Sequence, residues 1–145
     1  MAHISDPTCI FCKIVAGQIP CWKIFEDEIV LAFLDIGPLV TGHTLVVPKS
    51  HVPNIMHATP EVLAAMTSRI PIISRAVLAA TGTHACNLLV NNGSEAQQSI
   101  PHLHFHILPR KPQESFHIPW NASTLDKAAA VPLLAAIKEK LTSQS

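Results

Sequence analysis

The amino-acid sequence predicts an α+β domain. We expect one antiparallel sheet of about five strands with a long helix packed on it, a short N-terminal helix and a C-terminal helical extension. Three observations predict this fold. Short apolar, β-branched runs are separated by turn residues, as in antiparallel strands. One longer segment, residues 59–81, repeats apolar residues at helical spacing. The 145 residues are 48% hydrophobic and 14% charged, which suffices for the core of one domain.

The first elements follow from apolar runs and the turn residues between them. Residues 1–8 form a polar tail that we expect to be loose. Residues 9–17 predict a short helix that stops at Gly17. An acidic turn at residues 26–28 separates two apolar runs and predicts a hairpin. The predicted strands of the whole chain are Trp22–Phe25, Ile29–Leu34, Thr44–Val47, Cys86–Asn91 and His102–Leu108.

The long helix is predicted to begin after Thr59, because a hydroxyl N-cap is followed by Pro60 at the first helical position. It should run to about Thr81, before Gly82, with a kink at Pro71. Its apolar stripe consists of Leu63, Met66, Ile70, Ile73 and Val77. We interpret the stripe as core packing, and a subunit contact through the same stripe is the alternative.

The composition changes after Arg110, where proline and polar residues become frequent. Residues 125–141 predict a further helix, broken or kinked at Pro132. Its apolar face consists of Leu133, Leu134, Ile137 and Leu141. We therefore expect a tail over residues 1–8, one domain over residues 9–110, and a C-terminal extension over residues 111–145.

The charge balance excludes several classes of function. Ten Lys and Arg residues face ten Asp and Glu residues, so no positive field exists to collect polymeric nucleic acid. Apolar runs such as Ile29–Leu34 are too short to span a bilayer, and no basic-then-apolar leader opens the chain. We expect a cytoplasmic protein, with the nucleus as the alternative. In a reducing compartment the four cysteines favour thiol or metal chemistry over disulfides.

Nine histidines stand beside this zero net charge, and three of them alternate with apolar residues from His102 to Leu108. In a strand this alternation places all three imidazoles on one face, while Leu103, Phe105 and Ile107 enter the core. Histidines two residues apart lie roughly 6.6 to 7 Å from each other along a strand, a spacing that suits a phosphate-sized group. A surface strand with three solvated histidines is the alternative interpretation.

The segment His102–Leu108 has the pattern His-φ-His-φ-His-φ-φ, where φ is apolar. On this motif the chain resembles the histidine triad family of nucleotide-binding proteins, and the resemblance extends from Cys9 to about Arg110. The further matching blocks are residues 9–14, 25–27, 31–36, 42–51, 91–93 and 98–99. The resemblance is to the branch of small nucleoside phosphoramidases and adenylyl-hydrolysing relatives.

The resemblance implies a role for individual residues. His104, the middle histidine of the triad, matches the family's nucleophile. His106 would hydrogen-bond the phosphoryl oxygens or the bridging atom, and His43 would support the triad from the neighbouring strand. Asp35 would accept both ribose hydroxyls, which a carboxylate can do. Further contacts are implied for Ile24, Phe33 and Ile36 at the base and for Asn91, Gln98 and Ser99 at the phosphate, with Ser99 also catalytic. Core packing explains the apolar group as well, and turn formation explains Asn91 and Ser99.

A metal site is implied by the cysteines. Cys9-x2-Cys12 has the spacing of metal ligands, but two thiolates are half of a structural zinc site. In metal-binding members of the family the remaining ligands match His51 and His102. Such a Cys2His2 set leaves no open position, so the zinc would be structural. The alternative is a pair of packed free thiols, with His51 in the hydrogen-bond network of the active site.

The resemblance therefore implies a hydrolase that cleaves a nucleoside phosphoramidate or an adenylated substrate at the α-phosphate. The intermediate would be a nucleotidyl group on His104, and the product a nucleoside monophosphate. The expected ligand is a purine nucleotide such as AMP or an adenosine phosphoramidate, and we expect a homodimer. One alternative is a dinucleoside polyphosphate hydrolase or nucleotidyltransferase. Another is a nucleotide-binding interaction or scaffold protein.

Overall fold

The computed structural model describes residues 3–114 and 116–144. Within these ranges the chain forms a five-stranded antiparallel sheet and three α-helices, which confirms the predicted fold class. The strands are β1 (Trp22–Glu26), β2 (Val30–Leu34), β3 (Thr44–Pro48), β4 (Ala85–Val90) and β5 (Phe105–Arg110). The α-helices are α1 (Ile10–Val15), α2 (Pro60–Thr81) and α3 (Lys127–Ser143), and 3₁₀ turns cover Ile55–His57 and Ser94–Ala96.

The strands pair in the order β1-β2-β3-β5-β4. The β1–β2 hairpin closes at the predicted acidic turn, because Asp27 Oδ1 accepts the backbone N–H groups of Ile29 and Val30 at 2.9 and 2.8 Å. Asp27 Oδ2 accepts a hydrogen bond from Arg69 Nε of α2 at 2.7 Å. One carboxylate therefore shapes the turn and ties it to the long helix.

Side chains along each strand alternate between two apolar layers. The buried residues between the sheet and α2 are Val30, Ala32, Val46, Ala65, Met66, Ile70, Ile73, Val77, Leu103, Phe105 and Ile107. The layer on the opposite face, beside α1, contains Cys9, Phe11, Cys12, Leu31, Phe33, Leu45 and Val47. Because the apolar residues of the histidine segment point to α2, its histidines point to the α1 side, as the alternation predicted.

Helix α2 has the predicted limits. Thr59 Oγ1 accepts the backbone N–H of Val62 at its start, and Gly82 ends it with φ of +65°. The helix continues through Pro71. Its length and apolar composition would also suit a membrane-spanning helix. However, Met66 and Ile73 are fully buried in the core against the sheet, so we interpret α2 as the core helix of this fold.

Strand β5 begins three residues later than the predicted strand. Beyond the pair Val46–Phe105, a longer ladder with β3 would need Pro48, which has no backbone N–H. The Pro48 carbonyl oxygen lies 2.9 Å from His102 Nε2 instead and accepts a hydrogen bond from that side chain. His102 and His104 therefore lie in an extended segment just before the strand.

Helix α3 forms close to its predicted position. Asp126 Oδ1 caps it by accepting the backbone N–H of Ala129 at 2.8 Å. The predicted apolar face is present, but Leu134, Ile137 and Leu141 are 53%, 48% and 63% exposed. Among the residues that the structure describes, none in α3 is buried, so α3 contributes little to the core of the domain.

Gly42 occupies a position that only glycine fills without strain. Its φ is +84°, and a Cβ there would lie 2.6 Å from Thr81 Cγ2 and 3.2 Å from Pro109 Cγ. We predict that Gly42→Ala lowers the free energy of unfolding by about 2 to 4 kcal/mol, from backbone strain plus overpacking. Urea denaturation measures this loss.

Gly82→Ala is the matched control for this prediction. Gly82 also has a positive φ, but a Cβ there meets no atom of the described residues within 4 Å. Its cost is therefore limited to the backbone strain, about 1 kcal/mol. Equal losses of unfolding free energy in the two variants would show that contact of the added Cβ at position 42 with Thr81 of α2 adds nothing to the cost.

Candidate active site and metal-binding cluster

The histidine segment borders a cavity of about 260 Å³ beside α1. Its polar wall includes Asp35, Ser99, His104 and His106. Its other walls consist of Ile10, Phe11, Ile14, Ile19, Pro20, Cys21, Phe33, Leu34, Ile36, Leu45 and Ile100. A largely apolar cavity with a few convergent polar groups is the usual form of a small-molecule site.

The proton on His104 has a defined position. His104 is 4% exposed, and its Nδ1 lies 2.7 Å from the carbonyl oxygen of His102. A carbonyl oxygen only accepts, so Nδ1 carries the proton and donates it. Burial lowers the pKa of His104, so the ring is neutral at pH 7. Its Nε2 therefore keeps a lone pair, as a nucleophilic imidazole requires.

His106 lies against another histidine, His43, which immediately precedes β3. Nε2 of His43 lies 2.8 Å from His106 Nδ1 and 3.5 Å from Asp35 Oδ2. Nδ1 of His43 accepts the backbone N–H of Leu39 at 3.1 Å. Within the described residues, His106 Nε2 is buried and has no hydrogen-bond partner. Burial lowers the pKa of His43, and burial together with His104 and His43 lowers the pKa of His106 to about 4.

The loop that carries Asp35 is closed on itself. The backbone N–H of Asp35 donates to the His43 carbonyl at 2.9 Å, and the backbone N–H of His43 donates to the Val40 carbonyl at 3.1 Å. Asp35 Oδ1 accepts the backbone N–H of Gly37 at 2.8 Å, while Oδ2 remains on the side of the histidines. The loop therefore holds the Asp35 carboxylate at the rim of the cavity through its own backbone contacts.

The structure brings most of the predicted nucleotide contacts to the cavity, but not Ile24, Asn91 or Gln98. Ile24 lies along a different groove, beside α2. Its neighbour Lys23 pairs with Phe33, which belongs to the layer on the α1 side, so the alternation along the strand places Ile24 on the α2 face.

Gln98 and Asn91 build the loop before β5. Gln98 Oε1 accepts the backbone N–H of Gly93 at 2.8 Å, and its Nε2 donates to the carbonyls of Pro53 and Ile100 at 2.7 and 3.0 Å. Asn91 Nδ2 donates to the Gln97 carbonyl at 3.4 Å. The side-chain amide of Gln98 is thus occupied by backbone groups, which agrees with the turn-forming interpretation of this region.

One wall of the cavity consists of residues that the sequence motifs do not indicate. Ile10 and Ile14 of α1 face it, and so do Pro20 and Cys21 from the segment that follows. The spacing of Ile10 and Ile14 by four residues was a signal for an apolar helix face. The approach of this helix to the triad depends on tertiary packing, in which the Phe11 ring meets the His104 ring edge-on at 5.1 Å.

The four predicted metal ligands, Cys9, Cys12, His51 and His102, lie together, with all ligating atoms within 4.8 Å of one another. His102 Nδ1 is 3.4 Å from Cys9 Sγ and 3.6 Å from Cys12 Sγ, and His51 Nδ1 is 3.4 Å from Cys12 Sγ. His102 Nε2 donates to the Pro48 carbonyl, so its Nδ1 has a free lone pair. Burial raises the pKa of Cys9 and lowers the pKa of His102 to about 4.

These separations fit a tetrahedral zinc ion. With Zn–S of about 2.3 Å and Zn–N of about 2.0 to 2.1 Å, tetrahedral angles place sulfur and nitrogen about 3.6 Å apart. The second shell is also present, because the Pro48 carbonyl orients His102 and the backbone N–H of Asp6 donates to Cys12 Sγ at 3.4 Å. The cluster can therefore hold a structural metal ion.

The sequence of this chain is similar to a known domain family and to named proteins. The HIT domain profile matches residues 16–113. The chain is 44% identical over 139 residues to adenylylsulfatase HINT3 of Arabidopsis thaliana, covering 93% of this chain and 70% of that protein. It is 45% identical over 109 residues to adenosine 5'-monophosphoramidase hnt1 of Schizosaccharomyces pombe, covering 75% and 78%.

Solved structures have the same fold. SMU.412c from Streptococcus mutans UA159 superposes with a TM-score of 0.91 at 42% identity, over 94% of this chain and 87% of that one. A Zn-bound histidine triad family protein from Mycobacterium smegmatis superposes with a TM-score of 0.72 at 34% identity, over 95% and 98%. The likeness to SMU.412c covers nearly the whole of this chain.

The burial of His106 predicts a pH dependence of stability. Its pKa is about 4 in the folded chain against an ordinary 6.5, so the unfolded chain takes up the proton first as the pH falls. The contribution of neutral His106 to the free energy of unfolding is therefore present above pH 6.5 and is lost as the pH falls from 6.5 to about 4. At about 1.36 kcal/mol per pKa unit, a difference of about 2.5 units limits the loss to about 3.4 kcal/mol.

His106→Gln removes this titration and leaves the Cys/His cluster in place. We expect the wild-type free energy of unfolding to fall more steeply than that of the variant between pH 6.5 and 4, as measured by urea denaturation. Parallel curves over this range would mean that His106 is not buried as a neutral ring.

Proposed function

This chain belongs to the HIT family, and from that membership we propose that it is a nucleotide hydrolase acting on P–N or P–O bonds. Its substrate is a nucleoside phosphoramidate or an adenylated compound, cleaved at the α-phosphate to release a nucleoside monophosphate. Two relatives support this class, since one is an adenylylsulfatase and the other an adenosine 5'-monophosphoramidase. Both activities break a bond between a nucleotidyl group and its leaving group.

One observation carries the proposal: the Nε2 lone pair of His104. Because Nδ1 donates to the His102 carbonyl, the basic nitrogen of a neutral ring is the one left for a substrate in the adjoining cavity. When Nε2 bonds to phosphorus the ring becomes positive, and the carbonyl dipole at Nδ1 stabilises that charge. The geometry supports covalent catalysis by His104.

The reaction then has two displacements at phosphorus. In the first, a bond forms between His104 Nε2 and the α-phosphorus, and the bond to the leaving group breaks with its electron pair on the leaving atom. In the second, water attacks phosphorus and the electron pair of the P–N bond returns to His104. Over both steps one water is consumed, since its hydroxyl ends on phosphorus and its proton on the leaving group.

The other cavity residues bind and orient the nucleotide. Asp35 accepts the ribose hydroxyls, which its position at the cavity rim supports. Phe33 and Ile36 provide apolar surface for the base, and Ser99 is a neutral donor near the phosphate. Together with His106 these groups hold an anion without a net positive charge, which agrees with the balanced composition.

We also propose that Cys9, Cys12, His51 and His102 hold a structural zinc ion. The sulfur–nitrogen separations of 3.4 to 3.6 Å support this, and so does the Zn-bound relative. When bound, zinc would cross-link the start of α1, through Cys9 and Cys12, to His102, two residues from His104. The four ligands would then hold the wall that carries His104, and the reacting atoms would be left to the histidines.

His104→Ala removes the nucleophile. We predict that it lowers turnover of an adenosine phosphoramidate by about 10³-fold or more. His84→Ala is the matched control, because His84 is exposed and does not line the cavity; its turnover should equal that of wild type. Diadenosine polyphosphates serve as a second substrate in the same assay.

Two outcomes of this assay would contradict the account. Undiminished turnover by His104→Ala would contradict the assignment of His104 as the nucleophile. Negligible turnover of both substrates by wild type would contradict the proposed hydrolase activity.

Metal analysis tests the zinc site. We expect close to one equivalent of zinc in undialysed wild-type protein and less than half in Cys12→Ser, because the variant loses one of two thiolates. Cys21→Ser is the control, since Cys21 lies outside the cluster; it should retain the wild-type content. Less than half an equivalent in wild type contradicts the proposal.

We further propose a homodimer. Apolar side chains on α3 and Leu88 of β4 are about half exposed in the single chain, and β4 is an edge strand of the sheet. Light scattering should therefore give a mass near twice 15.7 kDa. A single-chain mass at assay concentration contradicts the dimer.

A further inference from the structure

The backbone N–H of Leu39 contacts a ring nitrogen next to the triad. We propose that this amide fixes the proton of His43 on Nε2, and through His43 fixes the proton of His106 on Nε2, so that His106 presents an N–H to the cavity. Leu39 is then a positioning residue that acts through two rings. The inference deepens the proposed function, because it states what His106 offers to the substrate.

The first step concerns His43. A backbone N–H only donates, and that of Leu39 lies 3.1 Å from His43 Nδ1, so Nδ1 must be the acceptor. A neutral ring with an unprotonated Nδ1 carries its proton on Nε2. Protonating Nδ1 as well would set two donors against each other in a buried site, and an unsatisfied buried donor costs about 1 to 3 kcal/mol. The amide thus favours the neutral ring too.

The second step concerns the pair of rings. Nε2 of His43 lies 2.8 Å from His106 Nδ1, a hydrogen-bond distance, and 3.5 Å from Asp35 Oδ2. Since His43 Nε2 carries the proton, His106 Nδ1 is the acceptor of the short contact. The proton of a neutral His106 is therefore on its own Nε2. That atom is buried and has no partner among the described residues, at the wall of the cavity.

The opposite direction of the chain is disfavoured by the loop. If His106 Nδ1 donated to His43, then His43 would carry its proton on Nδ1, against the N–H of Leu39. The loop cannot readily turn this amide away, because the backbone bonds of Asp35 to His43 and of His43 to Val40 close it. The backbone conformation of the loop therefore determines which nitrogen of His43 and of His106 carries the proton.

The consequence is a distinction between two roles of His106. A neutral ring with Nε2–H donates a hydrogen bond, but giving the proton away would leave an anionic imidazolate. His106 therefore acts as a neutral donor to a phosphoryl oxygen or to the bridging atom and keeps its proton. It favours a leaving atom that has a free lone pair over one that is already fully protonated.

Nitrogen NMR on ¹⁵N-histidine-labelled protein reads the protonated nitrogen of each ring directly. Signals are assigned with His43→Gln and His106→Gln. At neutral pH we expect a pyridine-type Nδ1 and a pyrrole-type Nε2 in both rings. A pyrrole-type Nδ1 in either His43 or His106 overturns the inference.

Removing the amide hydrogen tests the role of Leu39. In Leu39→Pro we expect the His43 pair of signals to shift towards the other tautomer, whereas Leu39→Ala, which keeps the amide, should retain the wild-type pattern. An ester in place of the Leu39 amide repeats the test if proline unfolds the loop. Wild-type signals in a folded ester-containing protein overturn the role of Leu39.

Kinetics separate donation from proton transfer. Gln has a side-chain N–H that can replace Nε2–H and no proton to give, so we expect His106→Gln to lower kcat/KM by less than about tenfold and His106→Leu by about 10²- to 10³-fold. Equal losses overturn the neutral-donor role. If wild type hydrolyses no nucleotide but shows the expected nitrogen signals, the proposed function fails and the tautomer inference stands.

Discussion

Imidazole rings buried on the α1 side of the sheet must be neutral, and each must place its single proton on one of two nitrogens. Backbone groups make that choice. The Pro48 carbonyl accepts a hydrogen bond from His102 Nε2–H, and the His102 carbonyl accepts one from His104 Nδ1–H. The backbone N–H of Leu39 donates to Nδ1 of His43. The arrangement leaves the Nδ1 lone pair of His102 towards the cysteines and the Nε2 lone pair of His104 at the cavity. The chemistry of both sites depends on these three backbone contacts.

The same contacts couple the metal-binding cluster to the candidate active site. His102 belongs to the cluster through its side chain and to the active site through its carbonyl, which holds His104. A displacement of His102 would therefore reorient His104, the proposed nucleophile. Pro48 takes part as well, since it ends the pairing of β3 with β5 and frees a carbonyl for His102. The proposed structural ion would thus support the proposed catalysis without touching the substrate.

The secondary structure and the face of the sheet that carries the histidines could be predicted from local sequence. The alternation of His102–Leu108 placed its histidines opposite the α2 layer, and the cap at Thr59 with the glycine at 82 bounded the long helix. The cavity was harder to predict. The resemblance implies a contact of Ile24 with the base, whereas the structure places Ile24 in a groove beside α2, because the pairing of β1 with β2 decides which face its side chain takes. The Leu39 contact belongs to the backbone, so residue types do not reveal it.

The central claim is that His104 Nε2 forms a covalent bond to the nucleotide. Rapid acid-free quench of wild type with an adenosine phosphoramidate, followed by mass spectrometry of intact protein and peptides, tests it most directly. The account predicts a mass gain of one nucleotidyl group, located on the peptide that contains His104 and absent from His104→Ala. Turnover without any such adduct on the pre-steady-state timescale, or an adduct on another residue, would contradict it.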